Sequence, residues 1–234
     1  MTNTTIAKKT RPWGTNVFVK QLMAISGLFF VLFLIVHAYG NLKMFAGQEA
    51  YDHYAHWLKS DAFYPLLPEG GLIIVFRGAM ILFALLHILS AFHVWWRSRK
   101  ARPTKYEMKR NIADSYAART MRVTAIVILL GVIFHLLHFT TATIPAGYGA
   151  GVTSPYMRMV GAFSHWWVLL IYIVFVGVVA FHIGHGIWSA LQTMGWLRRN
   201  TQHATIVISG IVAAIVFIMF MAPPFAIAVG FITA

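Results

Sequence analysis

Five stretches of this chain are apolar for long enough to cross a hydrocarbon core, which takes ~20 mainly apolar residues in a helix. They cover residues 17–40, 72–96, 121–141, 166–194 and 205–225. Between the first two, Gln48–Lys59 mixes apolar and polar positions at helical spacing and is expected to lie as a short amphipathic helix at the interface. Pro223–Pro224 is expected to kink or end the last span, because proline removes a helical N–H and clashes with the preceding turn. Residues 1–16 form a polar tail, and no internal repeat or low-complexity tract interrupts the pattern. The fold class that follows is all-α, an integral membrane bundle of five transmembrane helices forming a single domain over residues 1–234.

Composition agrees and adds a direction. Of 234 residues, 59% are hydrophobic and only 11% charged, whereas charged residues make up about a quarter of a soluble domain. A net charge of +13 could suggest nucleic acid, but the basic residues sit in short loops between apolar runs, so no nucleic-acid partner is expected. Fifteen of the nineteen Lys and Arg lie in the N-terminal tail with Lys20, in loop 97–122, or at Arg198 and Arg199. The positive-inside rule then places the N-terminus in the cytoplasm and, five spans later, the C-terminus outside. The first residues lack an apolar core ending in a small-residue cleavage site, so they read as a retained cytoplasmic tail. There is no cysteine, which excludes disulfides, thiolate metal ligands and covalent haem attachment.

The candidate chemistry lies in the histidines. Eleven are present against six acidic residues, and several fall inside spans, where an ionisable side chain marks a functional site by default. With the orientation above, His37 in the first span and His135 and His138 in the third lie towards the outside. His87 in the second span, ten residues before Arg97 and so ~15 Å from that surface, lies towards the inside with His182 and His185 of the fourth. Two imidazoles from facing helices at one depth are what a six-coordinate b-type haem needs, and two such layers would hold two haems. Small residues lie one turn from each candidate: Gly40 by His37, Ala91 by His87, Gly131 by His135 and Gly186 by His182. Lys20, Arg119 and Arg122 are placed to pair with propionates. The bland alternative is histidines acting as polar glue between helices. Zinc would want three or four ligands at one depth, and a carboxylate pump needs intramembrane acids that these spans lack. A transporter would show broken helices and buried charges. His53, His56 and His203 lie outside the spans, and His93 and His165 lie at the interfaces. His138 could serve a quinone or a propionate, or simply snorkel. Helical spacing does not choose between His182 and His185.

Three stretches carry a resemblance: VHAYGNLKMF at the end of the first span, RVTAIVILLGVIFH in the third and FHIGHGIWSALQTMG in the fourth. In helix order, loop lengths and these motifs the chain resembles the five-helix, two-haem cytochrome b subunit (b558 type) of succinate dehydrogenases and fumarate reductases. YMRMVGAF also resembles the loop before the fourth helix in the fumarate reductase branch. The resemblance implies axial ligands His37 and His135 for an outer haem and His87 and His182 for an inner one. It implies nearby roles for Gly40, Ala91, Gly131, His138, His185, Gly186, Arg119 and Arg122. Implied partners are a flavoprotein and an iron–sulfur subunit on the cytoplasmic face of a bacterial plasma membrane, with menaquinone as acceptor, in a complex open to higher oligomers. Succinate oxidation itself would lie on a partner subunit, and reverse flow would make the complex a fumarate reductase. Two departures stand out: Met23 occupies a position where some relatives have His, and Ala180 one where some fumarate reductases carry a proton-moving Glu. Asp61 and Glu69 are acidic candidates for the quinone site by neighbourhood. The alternatives are an anchor with purely structural haem and the dihaem cytochrome b of a hydrogenase or formate dehydrogenase.

The pairing makes a direct prediction. His182→Ala abolishes the inner haem and leaves the outer one at least partly formed, as read by optical spectra of the purified chain; loss of the outer haem alone would refute the pairing.

Overall fold

The computed structural model describes residues 15–101, 112–198 and 200–234, with the backbone alone for residues 112–119. Among these residues all regular structure is helical, with seven α-helices and no strand. They are α1 (Asn16–Leu42), α2 (Gln48–Lys59), α3 (Gly71–Lys100), α4 (Ile112–His135), α5 (Pro155–Phe163), α6 (Trp166–Thr193) and α7 (Gln202–Ala228). A short 3₁₀ turn, Lys43–Ala46, extends α1, and a π turn, Leu136–Thr140, extends α4. Five of the helices, α1, α3, α4, α6 and α7, are long and apolar enough to cross a bilayer.

The expected spans recur with longer ends. α4 starts nine residues before the expected boundary, inside the basic loop, and α3 continues four residues past its own. α7 does not end at Pro223–Pro224: both prolines are buried within the helix, which runs on to Ala228. Packing against neighbouring helices tolerates prolines inside a transmembrane segment that would stop a helix in water. α5 is a helix where only a connecting loop was expected. Ser154 caps it by accepting the Met157 N–H, and Pro155 supplies the first-turn φ for which proline is pre-set.

α1 and α6 form the centre. α1 packs on α3, α6 and α7, while α6 packs on α1, α4 and α7. Small residues let α6 and α7 approach: a Cβ on Gly184 would stand 3.3 Å from the Ala213 Cβ, the close spacing typical of membrane helices. Among the described residues, α3 and α4 have no extended contact with each other, nor do α1 and α4, nor α3 and α6. The outward faces of α3 and α4 are large exposed aliphatics such as Ile74, Leu82, Leu89, Ile126 and Leu130, which suits lipid contact.

The tightest packing lies at the end of the bundle that holds α2 and α5. Tyr156, Met159, Val160, Ala162 and Phe163 of α5 are buried with Met44, Val168, Tyr172, Ile227 and Ile232. Asp52 of α2 anchors this plug, with one oxygen accepting the Ser154 hydroxyl at 2.5 Å and the other the Tyr156 N–H at 2.9 Å. The Tyr156 hydroxyl donates to the Thr233 carbonyl at 3.0 Å and ties in the C-terminal residues. Burial, with Asp52 beside it, pushes the Tyr51 phenol up to about 12, so it stays neutral over the physiological range.

Asp52→Ala strands a hydroxyl and an N–H at this junction. A loss of ~1–3 kcal/mol is expected, read as a lower thermal midpoint in detergent, with Asp52→Asn milder because it keeps an acceptor. Equal midpoints for Ala and wild type would show that α5 does not depend on this anchor.

Candidate functional site

Four of the span histidines meet in two pairs. At the basic end of the bundle, His87 of α3 faces His182 of α6 with ring centres 6.4 Å apart and planes at 66°. Towards the α2–α5 end, His37 of α1 faces His135 of α4 with centres 6.0 Å apart and planes at 74°. These are the pairs that depth and resemblance predict. Among the described residues each joins two helices that share no extended contact with one another. His185 points elsewhere, against Trp188 at 5.6 Å.

The proton positions at the basic-end pair follow from their partners. His87 Nδ1 lies 3.1 Å from the Met23 carbonyl and 3.2 Å from Ser26 Oγ. A carbonyl only accepts, so Nδ1 carries the hydrogen and Nε2 of the neutral ring is bare. Ser26 is itself buried and donates to the Leu22 carbonyl at 2.7 Å. Gly27 allows this approach, since a Cβ there would stand 3.2 Å from His87 Cε1. On the other side, Thr124 Oγ1 is within donating distance of the Met121 carbonyl at 3.1 Å, which leaves its oxygen to accept from His182 Nδ1 at 3.0 Å. With Thr124 donating to the Met121 carbonyl, His182 also presents a bare Nε2. Among the described residues neither Nε2 has a hydrogen-bond partner.

The second pair is held by aromatic packing. The His37 ring stacks on Phe33 (5.2 Å, 10°) and touches Phe220 at 5.4 Å, with no hydrogen bond to the ring among the described residues. His135 Nδ1 is 3.5 Å from the Tyr172 hydroxyl. His138, a turn further on, is fully buried and has both nitrogens engaged, Nδ1 by Tyr172 at 3.0 Å and Nε2 by the Ala146 carbonyl at 2.9 Å. The Tyr148 hydroxyl also donates to the His138 carbonyl. The interfacial, snorkelling alternative for His138 is thus corrected: it is a core residue with no nitrogen left for an outside group.

The small residues expected to make room divide. Gly186 faces open space. Gly131 does not, since the Phe175 ring fills the position its Cβ would take, and Gly40 lies against the Tyr54 ring. Ala91 is half-buried on α3. Arg122 lines a cavity of about 220 Å³ with Trp95, Ser98 and Arg99, where Trp95 Nε1 is buried without a hydrogen-bond partner. The Arg119 side chain, like the tail 1–14 and the loop 102–111, lies outside the described residues. His53, His56, His93, His165 and His203 are exposed, as expected.

The two layers are well separated. Gly27, level with His87, is ten residues from His37 on α1, and Thr124, level with His182, is eleven from His135 on α4. Both helices give a spacing of ~15 Å. Two imidazoles on opposite sides of one metal, each bonded at about 2 Å, would have centres roughly 6 Å apart, a spacing that the edge-to-face contact of both pairs matches. Among the described residues no cluster of three or more His, Cys, Asp or Glu is placed to hold a metal ion by itself. Sequence reasoning did not single out Ser26, Gly27, Thr124 or Tyr172. Thr124 stood inside a quoted motif, but nothing local distinguished the others. No family model, curated protein or solved structure compared with the chain matches it.

A Cβ at Gly131 would fall 2.2 Å from the Phe175 ring. Gly131→Ala should therefore cost ~1–3 kcal/mol through overpacking and lower the thermal midpoint in detergent; an unchanged midpoint would mean the α4–α6 contact yields freely.

Proposed function

We propose that the chain is a dihaem cytochrome b that anchors a respiratory dehydrogenase in the membrane, of the succinate:menaquinone oxidoreductase type, carrying electrons between an iron–sulfur subunit and menaquinone. The observation that carries this reading is the pair of imidazole couples, each with ring centres about 6 Å apart, bridging helices that do not otherwise pack. Bound between them, haem b supplies one-electron transfer, and bis-imidazole ligation leaves no open position for oxygen chemistry.

The residues fit the group. His87 and His182 would hold it at the basic end, and His37 and His135 at the other. At the first site Met23, Ser26 and Thr124 take the Nδ1 hydrogens, which fixes ring orientation and raises ligand basicity, as hydrogen-bonded partners of metal-bound histidines generally do. Gly27 lets the His87 ring come up against α1, and Gly186, one turn from His182, faces open space. Trp95 Nε1, Arg99 and Arg122 form a cationic donor set suited to a carboxylate such as a propionate. At the second site Phe33 and Phe220 exclude water from His37. The basic loops suit docking of a flavoprotein and an iron–sulfur subunit on the cytoplasmic side, with succinate oxidised on those subunits. Opposite flow, in a fumarate reductase, uses the same residues.

The purified chain should give the reduced-minus-oxidised bands of b haem and a pyridine haemochrome yield of two per chain; absence of these bands would sink the reading. Gly27→Val drives a branched side chain into His87 and should remove the basic-end haem alone, so that the yield falls from two to about one. Loss of both haems together would argue against independent layers.

A further inference from the structure

The second pair differs from the first in how its rings are held. At the basic end, each Nδ1 has its own backbone or hydroxyl acceptor within 3.2 Å. His37 has no such partner, so the direction in which this pair presents its nitrogens rests on His135. The only hydrogen-bond partner of the His135 ring among the described residues is Tyr172, ten residues before His182 on α6.

The hydrogens around Tyr172 can be assigned one by one. The Ala146 carbonyl can only accept, so His138 Nε2, 2.9 Å away, is the donor. The other nitrogen of the neutral His138 ring is then an acceptor. The Tyr172 hydroxyl, 3.0 Å from that nitrogen, therefore donates its one hydrogen to His138. That leaves only lone pairs on the Tyr172 oxygen facing His135 Nδ1, which at 3.5 Å is a long and weak contact, beyond the roughly 2.7–3.2 Å of an ordinary N–H···O bond. Hydrogens run in one direction: His135 to Tyr172, Tyr172 to His138, His138 to Ala146.

From this we infer that Tyr172 is a positioning residue for His135, with His138 setting the direction: the Tyr172 oxygen holds the Nδ1 hydrogen and leaves Nε2 bare on the side shared with His37. The inference rests on the haem reading for its purpose, since bare Nε2 is what an axial ligand must offer, but its chemistry stands on the hydrogen-bond order alone. The surroundings make the role specific. Tyr172 is buried and its ring packs on Phe134, Phe139, Phe163 and Phe175, so Tyr172→Phe keeps that packing and removes only the oxygen. His138→Leu strands the Tyr172 hydrogen, which then finds its nearest acceptor at His135 Nδ1. That reversal would put the His135 hydrogen on Nε2 and block it.

The test uses the full chain in detergent, first without haem and then titrated with haem b. Histidine ¹⁵N spectra of the haem-free chain should show His135 with its hydrogen on Nδ1 and His138 with its hydrogen on Nε2. Tyr172→Phe should mix the His135 tautomers, weaken haem uptake at the His37–His135 site by roughly 10-fold, and raise the midpoint potential of that haem while the other stays put. His138→Leu should move the His135 hydrogen to Nε2 and cost more than Tyr172→Phe. His138→Asn, which keeps an acceptor near the Nδ1 position, should recover part of the loss. An Nε2–H tautomer at His135 in the wild-type chain, or a Tyr172→Phe chain with unchanged potential and uptake, overturns the inference. A wild-type chain with the expected tautomers that takes up no haem overturns the functional reading, and with it the purpose assigned to Tyr172, while the tautomers show that the hydrogen-bond order itself was right.

Discussion

A neutral imidazole carries one N–H that must be satisfied and one lone pair that it can offer. In hydrocarbon there is no water to take the N–H, and leaving it unpaired costs several kcal/mol. The basic end of the bundle is arranged around that constraint. At the basic end α1 supplies the Met23 carbonyl and the Ser26 hydroxyl, while α4 supplies Thr124, so the two rings between them are locked from the outside inwards. Each acceptor lies on a helix other than the one that carries the ring. The rings are therefore aimed only when the helices are assembled, and assembly and site geometry are one event.

The two ends of the bundle solve different problems. At one end α5, capped by Ser154 and held by Asp52, seals the core with five buried side chains. At the other, long basic helix ends project past the apolar part of α3 and α4. Between these ends the central pair α1–α6 is continuous, and small residues such as Gly184 and Ala213 bring α7 close. Stability is concentrated in the plug and along α1, α6 and α7. α3 and α4 hang from that frame, each by one main partner.

Much of this was legible in the chain. Five spans and the interfacial α2 followed from apolar run lengths, and the two histidine layers followed from loop charge and helical rise. Boundaries were less so, because charged residues extend α3 and α4 beyond the apolar stretch that a membrane pattern detects. α5 was hidden by its shortness, though Ser154–Pro155 is a recognisable start. Of the kink or end expected at Pro223–Pro224, the end does not occur, because neighbouring helices and local backbone adjustments take up the freed backbone groups. His138 misled because proximity to the span end suggested an exposed tip, whereas the loop at Ala146 and Tyr148 folds over it. Ser26, Gly27 and Tyr172 could not have been singled out, since their meaning comes from a ring on another helix, 61 residues away for Ser26 and His87.

The gap between α3 and α4 has a consequence for how such a protein is made. Two helices that lean on each other must be placed together, whereas two that each lean on a common frame can be placed one at a time. Among the described residues α3 packs mainly on α1 and α4 mainly on α6. Each can therefore dock on the frame of α1, α6 and α7 without waiting for the other. Assembly in the bilayer can run as separable steps, the frame first and its two outriggers afterwards.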